Sequence, residues 1–241
     1  MPIVQSSAPT GPKIRGIADI VFCFDVTGSM QPCIDGVKNN VRTFIDQLKA
    51  GSANQPVDWR AVAVGYRDIG DGAAPAFEGF MNSFTNDFTT LYSQIDSLEA
   101  KGGGDEPESL LDALYKIGSE LKWPNPIGAS HRIIIVFTDA TCQPELDPST
   151  TSGDRSPNAV VTILSDIHAK LFLYGPDFEI YRNVLATIPK SLFKSLGADT
   201  EEVQRDIQNA SFADIMAQLG KTVSQSAVMP VMAGGSSGVA P

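Results

Sequence analysis

The sequence is short of basic residues, cysteines and long apolar runs, and each shortage excludes a class of protein. Its 241 residues include 18 Lys and Arg against 28 Asp and Glu, a formal net charge of −10. This balance argues against binding to nucleic acid or to an acidic membrane surface, because both favour clustered cations. No apolar run approaches the roughly 18 residues of a membrane-spanning helix. Three cysteines (Cys23, Cys33 and Cys142) are too few for a disulfide scaffold.

The two ends of the chain differ from its interior. Residues 1–15 and 226–241 are rich in Ser, Pro and Gly without hydrophobic periodicity, so both are predicted to be flexible. The first residues also lack the charged and then apolar layout of a secretory signal peptide. The interior, residues 16–225, contains no repeat and no linker, which favours a single domain. These features predict a soluble, cytoplasmic protein.

Hydrophobic periodicity alternates along the interior between strand-like and helix-like segments. Nearly unbroken apolar runs at 17–24 and 133–137 are typical of strands buried on both faces. Between them, apolar residues recur at helical spacing from Ile34 to Leu48. The alternation predicts an α/β, doubly wound, mostly parallel sheet with helices on both faces, and the segment 77–80 is predicted as an antiparallel edge strand. Further strands are predicted at 57–66, 171–174 and 192–196, and helices over 88–98, 110–121, 158–169, 178–187 and 200–223.

Two of the predicted strands end in a carboxylate. The first stops at Asp25, and the central strand stops at Thr138-Asp139. Adjacent parallel strands bring their carboxyl ends to one edge of the sheet, which is where such folds bind ligands. With the hydroxyls of Thr27 and Ser29, these carboxylates would form a cluster of hard oxygen ligands without His or thiolate. Such a cluster suits Mg²⁺, with Mn²⁺ and Ca²⁺ as alternatives.

The same residues resemble a known metal site. Asp25-x-Thr27-x-Ser29 with a later Asp139 resembles the metal-ion-dependent adhesion site of von Willebrand factor A domains. The resemblance implies a Rossmann-like fold in which the two hydroxyls bind the metal directly. It also implies that Asp25 and Asp139 hold the metal through water molecules.

Three further segments carry the resemblance. Residues 65–71, 102–108 and 139–142 are similar to the von Willebrand factor A domains that are associated with α-kinases. The resemblance covers about residues 17–223, nearly all of the predicted ordered chain. Since no kinase-like segment follows, no catalytic activity is expected from it.

The loop before the third predicted helix departs from most of the family. Many A domains supply a further Thr there, whereas this chain has Asp105-Glu106-Pro107-Glu108. That segment is similar to the Asp-x-Pro-Glu found in the A-like domains of integrin β chains, and this resemblance implies Glu108 as a metal ligand and Asp105 as a further candidate. The alternative is that these carboxylates only cap the first turn of the helix. Pro32 and Cys33 replace the adjacent acidic residues of those integrin domains, so their third metal site is expected to be absent.

Other polar residues near the predicted sheet edge have simpler interpretations. Arg67 and Asp68 are predicted to form a surface ion pair. Cys33 and Cys142 are predicted to lie near the edge as small apolar fillers. His131 and His168 stand apart from the acidic cluster in the sequence, so neither is expected to bind zinc or to act in catalysis.

The resemblance implies a metal-dependent protein-binding module, an adaptor or scaffold component, and not an enzyme. A divalent cation at the sheet edge would take an Asp or Glu carboxylate of a protein partner as its remaining ligand. An alternative follows from the same loop, since Asp25 to Ser29 also resembles the Asp-Lys-Thr-Gly-Thr loop of haloacid-dehalogenase-like phosphoryl-transfer proteins. Asp25 would then be the nucleophile. Against this alternative, position 27 is Thr where soluble members place a second Asp, and no lysine has a convincing position.

Overall fold

A mixed sheet of six strands forms the central layer of the protein. The structure, a computed structural model, describes residues 16–50, 57–72, 75–103, 106–198, 200–209 and 212–228. The strands are β1 (Ile17–Asp25), β2 (Asp58–Tyr66), β3 (Phe77–Glu78), β4 (His131–Phe137), β5 (Ala169–Pro176) and β6 (Leu192–Gly197). Their order is β3-β2-β1-β4-β5-β6, and every pairing is parallel except that of β2 with β3. The predicted α/β sheet with one antiparallel edge strand is confirmed.

Helices cover both faces of this sheet. They are α1 (Gln31–Ala50), α2 (Phe88–Asp96), α3 (Leu110–Ser119), α4 (Pro157–Asp166), α5 (Glu179–Asn183), α6 (Thr200–Asn209) and α7 (Phe212–Val228). The helices predicted over 88–98, 110–121 and 158–169 end two or three residues earlier than expected, and two other predictions differ more. The segment 178–187 is α5 followed by a 3₁₀ turn, and the single helix predicted over 200–223 is the pair α6 and α7. The two helices have different packing partners, since α6 packs against β6 whereas α7 packs along α1.

The buried strands explain the unbroken apolar runs of the sequence. In β1, Phe22 and Phe24 face a core that contains α1 and α7, whereas Val21 and Cys23 face a second core that contains α3 and α4. Because successive side chains of a strand point to opposite faces, a strand covered on both faces is apolar at most positions, and Asp19 in β1 and Arg132 in β4 are buried exceptions. β1 and β4 are adjacent in the middle of the sheet, so their carboxyl ends lie side by side at one edge.

Some of the predictions concern residues at the two ends of the chain. Helix α7 continues to Val228. Residues 1–15 and the rest of the predicted tail lie outside the described residues, so the domain boundaries at 16 and 225 stay predictions. The three cysteines are buried and form no disulfide. Across the described ranges, no helix has both the length and the apolar character that crossing a membrane requires.

Candidate metal centre

The carboxyl ends of β1 and β4 lie side by side. Phe24 pairs with Phe137 in the parallel register, so the residues that follow, Asp25 on one strand and Thr138-Asp139 on the other, reach the same edge of the sheet. Asp25 is fully buried and Asp139 is 1% exposed. The structure thus brings together the two carboxylates that the sequence places at strand ends.

The loop after β1 folds its hydroxyls back onto Asp25. Oδ1 of Asp25 accepts hydrogen bonds from the backbone N–H of Thr27 (3.0 Å) and from its hydroxyl (2.7 Å). The hydroxyl oxygens of Thr27 and Ser29 are 3.4 Å apart. Thr27 is buried, whereas Ser29 is exposed in the short 3₁₀ turn that leads into α1. The cluster therefore opens to solvent on the Ser29 side.

The second oxygen of Asp25 is held by Thr138, a residue whose role the sequence pattern did not indicate. The hydroxyl of Thr138 donates to Oδ2 of Asp25 over 2.9 Å, and it accepts a hydrogen bond from the N–H of Ala140 (3.1 Å). The strand register could have indicated this contact, because Thr138 follows the residue that pairs with Phe24. Both carboxylate oxygens of Asp25 are therefore fixed by neutral donors.

The site is rich in desolvated negative charge. Burial, together with the charge of Asp139, raises the pKa of Asp25 from 3.8 to about 7, although the hydrogen bonds from Thr27 and Thr138 oppose the increase. The pKa of the Cys33 thiol is also raised, first by burial and then by the charges of Asp139 and Asp25. A bound cation would favour the ionised carboxylates, so this electrostatic environment fits a metal ion.

The loop that carries Glu108 is bonded to the loop after β4. The N–H of Glu108 donates to the carbonyl of Thr141 (2.9 Å), and the N–H of Gln143 donates to the carbonyl of Glu108 (2.9 Å). Glu106 strengthens this connection, since its Oε2 accepts from both the N–H and the hydroxyl of Thr141. Ser109 occupies the N-cap position of α3, so Glu108 precedes the helix. Asp105 lies outside the described residues, and its role stays a prediction.

Gly103 lies between the first loop and the Glu108 carboxylate. A Cβ atom built on Gly103 would lie 2.6 Å from Cβ of Thr27 and 3.6 Å from Oε1 of Glu108. Two backbone hydrogen bonds hold these loops together, from Gly28 to the Gly102 carbonyl (3.1 Å) and from Lys101 to the Val26 carbonyl (3.0 Å). Glu108 therefore lies within reach of the cluster formed by the first loop.

The donor set is compatible with a hard cation only when the hydroxyls take part. Within the described ranges, no three His, Cys, Asp or Glu side chains are grouped closely enough to hold a metal ion by themselves. The buried carboxylates of Asp25 and Asp139 supply charge, and the hydroxyls of Thr27 and Ser29 supply neutral oxygen ligands. Oxygen ligands without sulfur or imidazole are those that Mg²⁺, Mn²⁺ and Ca²⁺ prefer.

Comparison with known proteins decides the family. A family model described as the von Willebrand factor A (vWA) domain matches residues 19–170, more than half of the chain. The chain belongs to the vWA domain family. It is 35% identical over 128 residues to the human von Willebrand factor A domain-containing protein 7, which covers 53% of this chain and 12% of that protein. It is 29% identical over 154 residues to the alpha-protein kinase vwkA of Dictyostelium discoideum, which covers 62% of this chain and 23% of that protein.

The vWA domain thus spans less than a quarter of the length of these two curated relatives. Its fold is similar to that of proximal thread matrix protein 1 from the mussel byssus, in a structure described as having a zinc-occupied MIDAS motif. The TM-score is 0.56 at 16% identity, over 87% of this chain and 46% of that chain. The SpRpn10 VWA domain gives a TM-score of 0.52 at 9% identity, over 83% of this chain and 97% of that chain. At such identities the likeness shows the fold alone.

Arg67 corrects one expectation about the edge of this vWA domain. Instead of pairing with Asp68 at the surface, Arg67 is 1% exposed and forms an ion pair of 2.7 Å with Glu78. It also donates to the carbonyls of Glu99 (2.7 Å) and Lys101 (2.9 Å). The expectation was wrong because those carbonyls come from a distant loop that wraps around the guanidinium. Arg67 thereby anchors the loop against which Gly28 is bonded.

Cys33 and Cys142 lie at one end of the strands and the two histidines at the other. Cys33 and Cys142 are buried near the edge, and Cys142 pairs with Glu108 in an isolated bridge. His131 begins β4 and His168 precedes β5, so both lie at the amino ends of the strands. Neither histidine shares the edge that carries Asp25 and Asp139.

Proposed function

We propose that this vWA domain binds one divalent cation, Mg²⁺ by preference, at the carboxyl edge of its sheet. Thr27 and Ser29 are the direct ligands, and Asp25 and Asp139 hold the ion through water molecules, as in the family site that they resemble. Glu108 is a further ligand, and Asp105 an additional candidate. The proposal is carried by the convergence of two buried carboxylates with two hydroxyl oxygens that lie 3.4 Å apart.

The charge distribution supports this assignment. Asp25 and Asp139 are close enough for one to raise the pKa of the other, and both are excluded from water. Two buried carboxylates roughly offset the charge of one divalent ion, whereas the hydroxyls add no negative charge. An ion held by Thr27, Ser29 and these two carboxylates stays electrophilic and can accept an anionic ligand from outside, whereas a further carboxylate such as that of Glu108 lowers this tendency.

We further propose that the outside ligand is an Asp or Glu carboxylate of a protein partner, so that the domain acts as an adaptor or scaffold module. vWA domains are typically metal-dependent protein-binding modules. The exposed Ser29 supports access from solvent to an ion at this edge. The similarity to vwkA supports a relation to the A domains that are associated with α-kinases. The net charge of −10 favours neither nucleic acid nor acidic membranes as partners.

Phosphoryl transfer with Asp25 as the nucleophile has no support in the geometry. Both oxygens of Asp25 are buried and accept hydrogen bonds from Thr27 and Thr138. Lys101, in the adjoining loop, directs its ammonium group to Glu99 (2.5 Å). We therefore propose a binding function without catalysis.

Calorimetric titration with MgCl₂ and MnCl₂ tests the metal site. We expect one ion per chain in the wild type. In Thr27→Val and Asp139→Asn, the affinity for the ion should be at least about tenfold lower than in the wild type. Asp166→Asn is the matched control, because Asp166 is an exposed carboxylate at the end of α4. N-acetylaspartate amide should then bind to the metal-loaded protein and not to the protein in EDTA. Equal metal affinity in all four proteins would refute the assignment.

A further inference from the structure

A cavity of about 340 Å³ lies beside the candidate metal centre and is separate from it. Ser109, Asp112 and Gln143 are among the residues that line it. Ser109 directly follows Glu108, and the N–H of Gln143 donates to the Glu108 carbonyl. The cavity therefore adjoins the loop that carries Glu108, and this loop connects it to the candidate metal centre.

The charges around this cavity are mostly negative. Its charged lining residues are Asp68, Asp112, Glu145, Asp147 and Arg155. The single cation among them, Arg155, is already engaged: its Nε donates to the Leu146 carbonyl (2.6 Å) and its Nη2 lies 3.5 Å from the Glu145 carboxylate. Four carboxylates therefore face one guanidinium, which leaves the cavity with a negative potential.

Two of the carboxylates use their oxygens to hold the surrounding loops. Oδ1 of Asp68 accepts from the hydroxyl of Ser109 (2.8 Å) and from the side-chain amide of Gln143 (3.2 Å). Oδ1 of Asp147 accepts from the N–H (2.7 Å) and the hydroxyl (2.5 Å) of Ser149. Asp68 thus joins three separate loops, Asp147 stabilises its own turn, and the hydrogen bonds account for the positions of both carboxylates.

Asp112 differs from them. It is 1% exposed, and its Oδ1 accepts from the N–H of Asp147 (2.8 Å). Its Oδ2 is buried and has no hydrogen-bond partner among the described residues. Burial raises the pKa of Asp112, and hydrogen bonds from the hydroxyl of Thr150 and the N–H of Asp147 oppose the increase without satisfying Oδ2. An unsatisfied buried carboxylate oxygen in a cavity wall is costly unless a ligand supplies a donor.

The chemistry of the cavity favours an organic cation over a metal ion. A hard metal ion needs about six oxygen ligands, whereas the carboxylates of Asp68 and Asp147 already accept hydrogen bonds from the surrounding loops. An ammonium or guanidinium group instead needs only one or two hydrogen bonds to a carboxylate within a negative field. Asp112 offers the acceptor for such a bond, and the other carboxylates supply the field.

We infer that this cavity receives the side chain of a Lys or Arg residue from a protein partner. Its negative lining complements the cation, and its volume accommodates a long side chain. One partner could place a carboxylate on the metal ion and a cation beside it. That joint use rests on the proposed function, whereas the affinity of the cavity for a cation does not.

The test is a titration of the full chain in EDTA with Nα-acetyl-lysine methylamide and with its arginine equivalent, followed by amide NMR. We expect saturable shifts at Ser109, Gln143 and Asp147, and none of them with the uncharged norleucine analogue. Asp112→Asn should weaken binding about tenfold, because it removes the charge but keeps an oxygen for the N–H of Asp147. Asp166→Asn removes one charge far from the cavity and should change the affinity less than twofold. Because EDTA removes the metal, failure here leaves the proposed metal site intact.

Five results would overturn the inference. Shifts could be scattered over the acidic surface without saturation, or the norleucine analogue could cause the same shifts. CaCl₂ could saturate the same amides in an Asp112-dependent way, which would make the cavity a metal site. Spermidine could bind there while both amino-acid amides fail, which would make it a polyamine site. If Asp112→Asn does not fold, Arg155→Gln decides: loss of the competing cation should tighten binding about threefold, and unchanged or weaker binding refutes the inference.

Discussion

The hydroxyl of Thr138 donates a hydrogen bond to Oδ2 of Asp25 over 2.9 Å and so joins the end of β4 to the end of β1. Because Thr27 donates to the other oxygen, the carboxylate is oriented from two directions before any metal arrives. A ligand that is already oriented loses little conformational entropy when it binds an ion. Thr138 is thus a positioning residue of the proposed metal centre.

Removal of the Thr138 hydroxyl should weaken metal binding. Thr138→Val keeps the shape of the side chain but leaves Oδ2 of Asp25 without this donor. We expect the affinity for Mg²⁺ at pH 7.5 to fall about tenfold, since one buried hydrogen bond to a charged group contributes about 1.5–3 kcal/mol. Calorimetry provides the measurement. Thr138→Ser retains the hydroxyl and should stay within about twofold of the wild type; a matching loss in Thr138→Ser would refute the role of the hydroxyl.

The stability of the metal-free protein should depend on the protonation of Asp25. Burial and the charge of Asp139 raise its pKa in the folded state from 3.8 to about 7, so the folded state binds this proton more tightly than the unfolded chain. Its contribution to stability is therefore fully present below about pH 4 and is lost as the pH rises to about 7. We expect urea unfolding in EDTA to show this loss in the wild type and not in Asp25→Asn.

Magnesium should reverse the effect at high pH, because the cation replaces the proton as the compensating charge. At pH 8, saturating MgCl₂ should raise the midpoint of urea unfolding in the wild type and leave that of Asp25→Asn nearly unchanged. Parallel pH profiles for the two proteins in EDTA would show that Asp25 does not titrate in this range.

Replacement of Arg67 should destabilise the fold. Arg67→Ala leaves the Glu78 carboxylate and the carbonyls of Glu99 and Lys101 without their donor. Breaking a buried ion pair typically lowers the free energy of unfolding by about 3–5 kcal/mol. Urea unfolding measures the change. Arg182→Ala removes an exposed ion pair with Asp177 and should change stability by less than about 1 kcal/mol; equal losses would contradict the buried role of Arg67.

Gly103 is expected to tolerate no side chain. Its φ of +76° is in the left-handed region, and a Cβ atom would lie 2.6 Å from Cβ of Thr27. Gly103→Ala should therefore lower stability by about 1–2 kcal/mol through backbone strain and, by displacing Thr27, weaken Mg²⁺ binding about tenfold. Gly72→Ala separates the two effects, because Gly72 has a φ of +58° with its nearest contact at 4.0 Å. Gly72→Ala should reduce stability and leave the affinity for Mg²⁺ unchanged. If both variants lost affinity, displacement of Thr27 would not be the cause.

The elements that were predicted correctly are those with a strong local pattern. β1 and β4 are nearly continuous apolar runs, which predicts strands that are buried on both faces. Helix α1 has apolar residues at regular helical spacing, which predicts a helix that is buried on one face. The segment 200–223 was predicted as one helix because its periodicity is continuous, whereas its two halves pack against different partners, β6 and α1. A local pattern contains no information about such a change of partner.

The candidate site divides in the same way. The strand-end carboxylates and the hydroxyls of the first loop are adjacent in the sequence to clear structural signals, so they could be proposed together. The contact between Thr138 and Asp25 joins residues separated by 113 positions, and the Glu99 and Lys101 carbonyls that Arg67 contacts are more than 30 positions away from it. The strand register and the path of a loop had to be known before either could be found.

The amino-acid sequence by itself determined the alternation of strands and helices, the oxygen chemistry offered to a metal ion, and the absence of a disulfide scaffold. Hydrophobic periodicity and ligand type are properties of short segments, which is why they could be read without coordinates. Only the tertiary structure decided that Thr138 orients Asp25, that Arg67 is buried, and that Asp112 keeps an unsatisfied oxygen in a cavity wall. Each of these depends on how distant segments pack against one another, and the hydrogen bonds and charges of a buried group are set by that packing.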